Sequence, residues 1–356
     1  MQSLPDLSPM MAHTGYRRTV DLALPETENH LPISIDQRNL IPSASANQFD
    51  LPPIHILSGL LDVYYQHVHP SYPVLPCRTS VDAVIISPSG KSDIWSTLML
   101  SVCAYSGRLS VSANPTSISS GMGGLAGMIA ADLWYEQART SLSVLLKKES
   151  SLELMQATLL LALRDYGKGS ESQAWVLVGK FQGLPESFTD QFSGLAVRMG
   201  QDLQLHEEPN NSVLQSTTQD SELRQNIWGV CLILDLLLSL QMGRPPANFD
   251  SLKTSLNTIP RPCPLDVDVD TSPPFAYAVS LCRIISMINF HLYLGYPLPT
   301  AQSSPEKLLH LRTELDMWHH SLPVQYRISI GHQPRREVLE INMLYHVAII
   351  ILYRPM

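Results

Sequence analysis

Apolar residues recur along most of this chain at the three- and four-residue steps of a helix face. In LPPIHILSGLLDVYYQHVHPSYPVLP, Leu57, Leu60, Leu61, Tyr64 and Val68 fall at i, i+3, i+4, i+7 and i+11. That spacing predicts one helix face, stopped by Pro70. A second helix is predicted over 92–108, followed by a Ser/Gly loop, SVSANPTSISSGMGGLAG. Helical pattern resumes from Leu125 to Lys148, with Ala131, Trp134, Ala138, Leu142 and Leu145 on one face. Ser150 and Glu153 have the S-x-x-E spacing of a capping box ahead of LELMQATLLLALRDYG. That helix is apolar nearly all round, which places it at the centre of a core. Residues 219–242, 274–293, 305–321 and 336–353 also read as helices. On the last, Val338, Ile341, Tyr345, Ala348 and Leu352 step by three and four, over too few heptads for a coiled coil. No stretch alternates like a strand, so the expected fold class is all-α.

Composition narrows the functional classes. Apolar residues are 44% of the 356 and charged residues 16%, enough for a sizeable core. The formal charge of −8 argues against a chain that grips nucleic acid by its own electrostatic field. Cys77, Cys103, Cys231, Cys263 and Cys282 are scattered, without zinc-site spacing or a disulfide framework, which fits a reducing compartment. The start lacks the basic-then-apolar order of a secretory signal. Ile227 to Leu240 is short for a membrane span, which needs about 20 residues, and contains Asp235. An intracellular protein with no membrane partner is expected. Residues 1–52, rich in Pro, Ser, Asn and Asp, are expected to form a disordered tail.

Several chemical motifs begin and fail. SPSGKSD at 87–93 has the Gly-Lys-Ser end of a phosphate loop, but Ile85 stands where its first glycine belongs. GMGGLAG at 121–127 offers backbone donors without a following lysine, and reads as a flexible loop. In LDVDVD, Asp266, Asp268 and Asp270 imitate a calcium loop, whose glycine and final glutamate are replaced by Thr271 and Tyr277. His67 and His69 diverge on a helix end, and His319-His320 is no better placed for a metal. No Ser, Cys or Thr sits in a nucleophile motif. The expectation is a chain that is not an enzyme; a helical enzyme or small-molecule carrier is the distant alternative.

Five segments, in order, resemble the fungal-specific transcription factor domain, the all-helical middle homology region of fungal zinc-cluster regulators. LLDVYYQHVHPSYPVLP resembles its first helix and aromatic-His-Pro exit, in a form similar to cutinase and nitrate-assimilation regulators. SLELMQATLLLALRDYGKGSESQAWVLVG resembles its central helix pair. LAVRMGQDLQLH is similar to "A-RMA-DLGLH", with Gly200 and Gln204 departing from it. ELRQNIWGVCLILDLLLSLQMGRPP is similar to "E-RRR-WW … D … GRP", with Gln225 and Asn226 in place of basic residues. EINMLYHVAIIILYRP resembles its late helix ending in Arg-Pro. The resemblance covers about 51–356 and singles out Arg198, Asp202, His206, Trp228, Asp235, Gly243, Arg244 and Pro245 as motif residues. Asp235, within an apolar run, calls for a cationic or hydrogen-bonding partner, with Arg198 or Arg244 as candidates. A structural ion pair is the favoured role, with ligand sensing the alternative. Trp175 and Trp228 fit core aromatics better than ligand stackers.

The resemblance implies a nuclear regulator of RNA polymerase II transcription, whose helical domain restrains activity and binds effectors, the transcription machinery or another regulator. Homodimer formation is left open. DNA-binding relatives carry a six-cysteine, two-zinc module ahead of this domain. No such cysteine cluster is present, so no cofactor is expected here and zinc belongs only to that missing module. DNA contact is then indirect or through that module, and a co-regulator or dominant-negative acting through partners is the alternative. The late helix runs almost to Met356, so a C-terminally truncated domain with an uncovered helix face is expected. Residues 180–194, KFQGLPESFTDQFSG, interrupt an otherwise continuous helical pattern. They are read either as a retained in-frame intron or as a genuine surface loop.

Overall fold

A computed structural model describes residues 51–87, 92–113, 124–146, 150–178, 195–207, 218–243, 246–247, 273–291, 305–328 and 333–354. All of them belong to one compact unit, Ser43–Met356. Residues 1–50 of the tail expected at 1–52, the insertion at 180–194, the phosphate-loop-like residues 88–91 and the LDVDVD acidic run lie outside the described residues. Leu51 already packs against the core and Pro52 is buried. Among the described residues the regular elements are helical and no strand occurs, so the chain is all-α.

The chain begins with α1 (Ile54–His67), α2 (Arg78–Ile86), α3 (Asp93–Ala113) and α4 (Gly124–Leu145). It continues through α5 (Leu152–Gly167), α6 (Glu171–Val178), α7 (Leu195–Asp202) and α8 (Thr218–Met242). The last three are α9 (Pro274–Asn289), α10 (Pro305–Ser321) and α11 (Arg336–Tyr353). Helix α5 is the axis of the packing, touching α3, α4, α6, α7 and α8. Its residues from Leu154 through Asp165 are all buried, as a helix apolar on every side requires. Each fully buried leucine among them is worth about 1.5–3 kcal/mol. The helix starts one residue later than the S-x-x-E spacing implies. Ser151 is the N-cap, its side chain accepting from Leu154 N at 3.2 Å, while Ser150 Oγ donates to Asp202 Oδ2 at 3.1 Å.

All five residues of the predicted α1 stripe are buried. Tyr64 then fixes the segment that leaves the helix. Its hydroxyl accepts from Val74 N (3.0 Å) and Leu75 N (3.2 Å) and donates to Tyr72 O (3.0 Å). Gln156 Nε2 of α5 donates to Val74 O at 2.6 Å, anchoring the same segment from the core side. On α4, Tyr135 turns inward where the pattern pointed to Trp134, which is half-buried. On α11, Val338, Ile341, Ala348 and Leu352 are buried, and half-buried Tyr345 stacks on Trp318 with ring centroids 5.8 Å apart. The opposite side of α11 exposes Met343, Ile350 and Tyr353, each by 60% or more.

Residues 220–242 of α8 are long and apolar enough to cross a membrane, yet 67% of that window is buried inside the protein. The helix is a core element, with Ile227, Cys231, Leu234 and Leu238 all buried.

Helix α2 was not anticipated by the pattern. It is short, rich in β-branched residues, and tied to α1 by Arg78, which bonds Asp62 (2.6 Å), Ser58 Oγ (2.9 Å) and Asp82 (2.9 Å). Cys77 caps it with an exposed thiol, held down to about 7 by hydrogen bonds from Ser80 and then Thr79. Burial instead pushes Cys103 and Cys231 up, and Cys282 up to about 12. Because the thiolate is the reactive form, Cys77 is expected to be alkylated by iodoacetamide ahead of these three, its rate rising through neutral pH. Peptide mapping of a timed alkylation checks this; a buried cysteine labelling first contradicts it.

Candidate functional site

Of the motif residues, Arg198, Asp202, His206 and Trp228 lie on α7, just after it, and on the part of α8 that faces it. Gly200 lies against Trp228, which is 3% exposed. A Cβ at Gly200 would lie 2.5 Å from Trp228 Cζ3, 2.8 Å from Cε3 and 3.2 Å from Met155 Cε. The Trp228 indole N–H meets no acceptor among the described residues. Trp228 is thus a core aromatic filling the space that glycine leaves. The Trp175 side chain lies outside the description.

Helix α7 ends in a paired-bond C-cap: Leu205 N donates to Gly200 O (2.8 Å) and Gln204 N to Gln201 O (2.9 Å). That motif needs a left-handed residue, and Gln204 supplies it at φ +57°. The related pattern has glycine there, which takes this conformation without Cβ strain. Gln204→Gly is therefore expected to stabilise the fold by about 1 kcal/mol. Thermal unfolding checks it, and a lowered melting temperature contradicts it. Arg224 Nη2 donates to Leu203 O at 2.6 Å, setting a cation at the negative end of α7. Asp202 closes the other side through Ser150, and half-exposed His206 lies 6.2 Å from the Trp228 ring.

Asp235 is 1% exposed on α8, and its Oδ1 accepts from Ala247 N at 3.1 Å. This bond ties the chain beyond Gly243, itself left-handed at φ +63°, back onto the helix. Arg198 is exposed on α7 and makes no described pair with Asp235; Arg244 and Pro245 lie outside the described residues.

A buried charge cluster went unnoticed in the pattern because its members sit in different helices. Arg164, 2% exposed, bonds Asp132 through Nη2, lies 3.7 Å from Asp165, and stands 3.8 Å over the Tyr135 ring. Tyr135 donates to Asp165 Oδ2 at 2.7 Å. Arg108 (3.4 Å) and Lys168 (3.6 Å) also reach Asp132, so this carboxylate joins α3, α4 and α5. Asp132 is half-exposed, and only Arg164 and Asp165 are buried charges; a buried pair of this kind fixes one packing arrangement more than it adds stability.

Elsewhere in the fold, with none of these charged residues in its wall, lies a cavity of about 310 Å³. Its walls come from the α1–α2 segment (Tyr72), α3 (Tyr105), α5 (Leu163, Tyr166), α8 (Ile233, Leu237), α9 (Phe275) and α11 (Arg336, Glu340). Glu340 Oε1 accepts from Arg336 Nε at 2.7 Å. Burial, then the Glu340 charge, pushes the Tyr72 phenol up. Burial pushes Tyr105 up against the lowering pull of Arg336, with Glu340 adding less; for Tyr166, burial and Glu171 precede Glu340. All three therefore stay neutral. Among the described residues, no group of three His, Cys, Asp or Glu side chains is placed to hold a metal. What the cavity offers chemically is an apolar chamber with a polar end, suited to binding.

The sequence signature of the fungal specific transcription factor domain matches residues 61–320. A transcriptional regulatory protein of Schizosaccharomyces pombe is 26% identical over 56% of this chain and 34% of its own length. The sorbicillinoid biosynthetic cluster transcription factor 2 of Penicillium rubens is 24% identical over 97% of this chain and 51% of its own length. The nitrogen assimilation transcription factor nirA of Emericella nidulans is 26% identical over 58% of this chain and 23% of its own length. The chain thus spans about a quarter to a half of these relatives. No solved structure matches the chain.

Proposed function

Because the chain belongs to the fungal specific transcription factor domain family, we propose that it regulates transcription by RNA polymerase II as the effector-responsive helical part of a zinc-cluster-type regulator. The observation that carries this reading is the match from α1 to α10, a range over which the described helices share one buried core. The domain works in the nucleus and passes its state to the transcription machinery or to another regulator. Its part is conformational: helices packed round α5 hold one arrangement, and an effector shifts the balance between arrangements. No catalytic step is assigned to it. Zinc belongs to a DNA-reading module of the family type. The relatives serve pathways as different as nitrogen assimilation and sorbicillinoid synthesis, so no target gene is chosen.

A fluorescent tag on the natural protein, combined with chromatin immunoprecipitation, tests the reading. The protein is expected in the nucleus and enriched at a defined set of promoters. Exclusion from the nucleus with no promoter enrichment under every nutrient condition contradicts it.

A further inference from the structure

The cavity between α3, α5, α8, α9 and α11 has features that packing alone does not call for. At about 310 Å³ it falls at the small end of the range of ligand sites, and most of its wall is aliphatic or aromatic. Its polar groups converge from segments far apart in the chain. Tyr72, Tyr105, Tyr166 and the Arg336–Glu340 pair all line it, and Tyr72 is close enough to the other four to feel each of them electrostatically. The Tyr72 and Tyr166 hydroxyls make no hydrogen bond to any described residue and stay open to the cavity, both side chains being of intermediate burial. Glu340 spends Oε1 on Arg336, and its Oε2 is buried without a partner. A polar atom left unpaired in this way carries a desolvation cost, which a bound group able to pair with it removes.

The charges choose among ligand types. Arg336 and Glu340 neutralise each other at 2.7 Å, and Glu337, which also lines the cavity, is paired with Arg335 at 3.9 Å, so a charged head group would be desolvated there without compensation. A carboxylate would also meet Glu340. A hydroxyl suits the polar end, since it accepts from a phenol and donates towards a carboxylate.

We infer that this cavity is an effector site for a small neutral alcohol or phenol with an apolar ring body, its hydroxyl lying among Tyr72, Tyr166 and Glu340. The inference rests on the effector-responsive reading above only in naming the occupant an effector. The Tyr72 and Tyr166 hydroxyls hold no described group in place, so phenylalanine at either position removes a ligand contact and costs the fold little.

Isothermal titration of the purified full chain with β-naphthol, its methyl ether and β-naphthoate tests the site. β-Naphthol is expected to bind one to one, and the ether and the carboxylate each about tenfold or more weakly. Tyr72→Phe and Tyr166→Phe are each expected to weaken β-naphthol by about three- to tenfold while leaving the melting temperature unchanged. Ala278→Leu, which narrows the chamber, weakens all three probes. Failure of all three probes to bind a folded chain overturns the inference, as does β-naphthol binding that none of these substitutions changes. A chain that is nuclear and promoter-bound yet binds no probe loses only the cavity inference. One that binds β-naphthol in this cavity but never enters the nucleus loses only the regulatory reading.

Discussion

Tyr64→Phe is expected to destabilise the fold by about 1–3 kcal/mol, because it leaves the buried Leu75 amide without an acceptor. The ring itself changes little in shape, so the cost is one of hydrogen bonding. Val74 N and Leu75 N both donate to the Tyr64 hydroxyl, but Val74 N also donates to Tyr72 O at 2.8 Å, so Leu75 N is the amide left unpaired. Leu75 is 2% exposed, so water cannot replace the lost partner. The Tyr72 carbonyl loses one of its two donors and keeps Val74 N. Burial raises the Tyr64 phenol far above its ordinary value, so it stays protonated throughout the useful pH range. Tyr65→Phe is the internal control. Its hydroxyl donates a single bond to Pro76 O at 2.6 Å from a half-buried position, and its loss costs about 1 kcal/mol or less. Urea unfolding of both variants checks the pair; equal small losses for the two contradict the account. The segment that Tyr64 holds also carries Tyr72 to the cavity wall, so this hydroxyl links the first helix to the proposed site.

Gly200→Ala is the second large effect, and its sign opposes helix propensity. Alanine in mid-helix is favoured over glycine by about 1 kcal/mol, and the related pattern carries alanine at this place. Here a methyl group would lie 2.5 Å from a ring carbon of Trp228, closer than any real contact. The neighbour is a rigid indole that is 3% exposed, not the tip of a flexible chain. Overpacking of this kind costs about 1–3 kcal/mol, so a net loss is expected despite the better helix former. Combining it with Trp228→Phe relieves the clash, and the double variant should lose less than the sum of the two single losses. Chemical denaturation of the four proteins checks this. A stabilised Gly200→Ala protein contradicts the packing described for α7 on α8.

Helices with a long, one-sided or all-round apolar pattern were legible in the sequence. The bounds of α10 and α11 follow directly from the periodicity, and the central place of α5 follows from its lack of a polar face. The two departures from the family-like pattern were visible as residues, though their causes were not. Gly200 makes sense only once Trp228 is seen filling the methyl's place, and Gln204 only once its φ is known. Helix α2 escaped because nine residues rich in Val and Ile carry little helical signal, and its hold on α1 comes from Arg78 reaching sixteen to twenty residues back. Tyr135 replaced Trp134 on the inner face because its hydroxyl finds Asp165, a partner thirty residues away. The cavity was the least legible feature. Tyr72, Tyr105, Tyr166 and Glu340 share no spacing, and only the packing of α3, α5 and α11 brings them to one wall. Arg198, one of the two arginines that the sequence offers as a partner for Asp235, is exposed on its own helix, and the other, Arg244, lies outside the described residues.

The central claim is that this helical unit acts on transcription when it is brought to a promoter. The full chain is fused to the DNA-binding domain of a bacterial repressor and tethered upstream of a reporter in a fungal cell. The account predicts a severalfold change in reporter transcript relative to the tether alone, diminished in Tyr64→Phe and Gly200→Ala in step with their loss of folded protein. A folded chain, present at equal level in the nucleus, that leaves the reporter unchanged across growth conditions would contradict it.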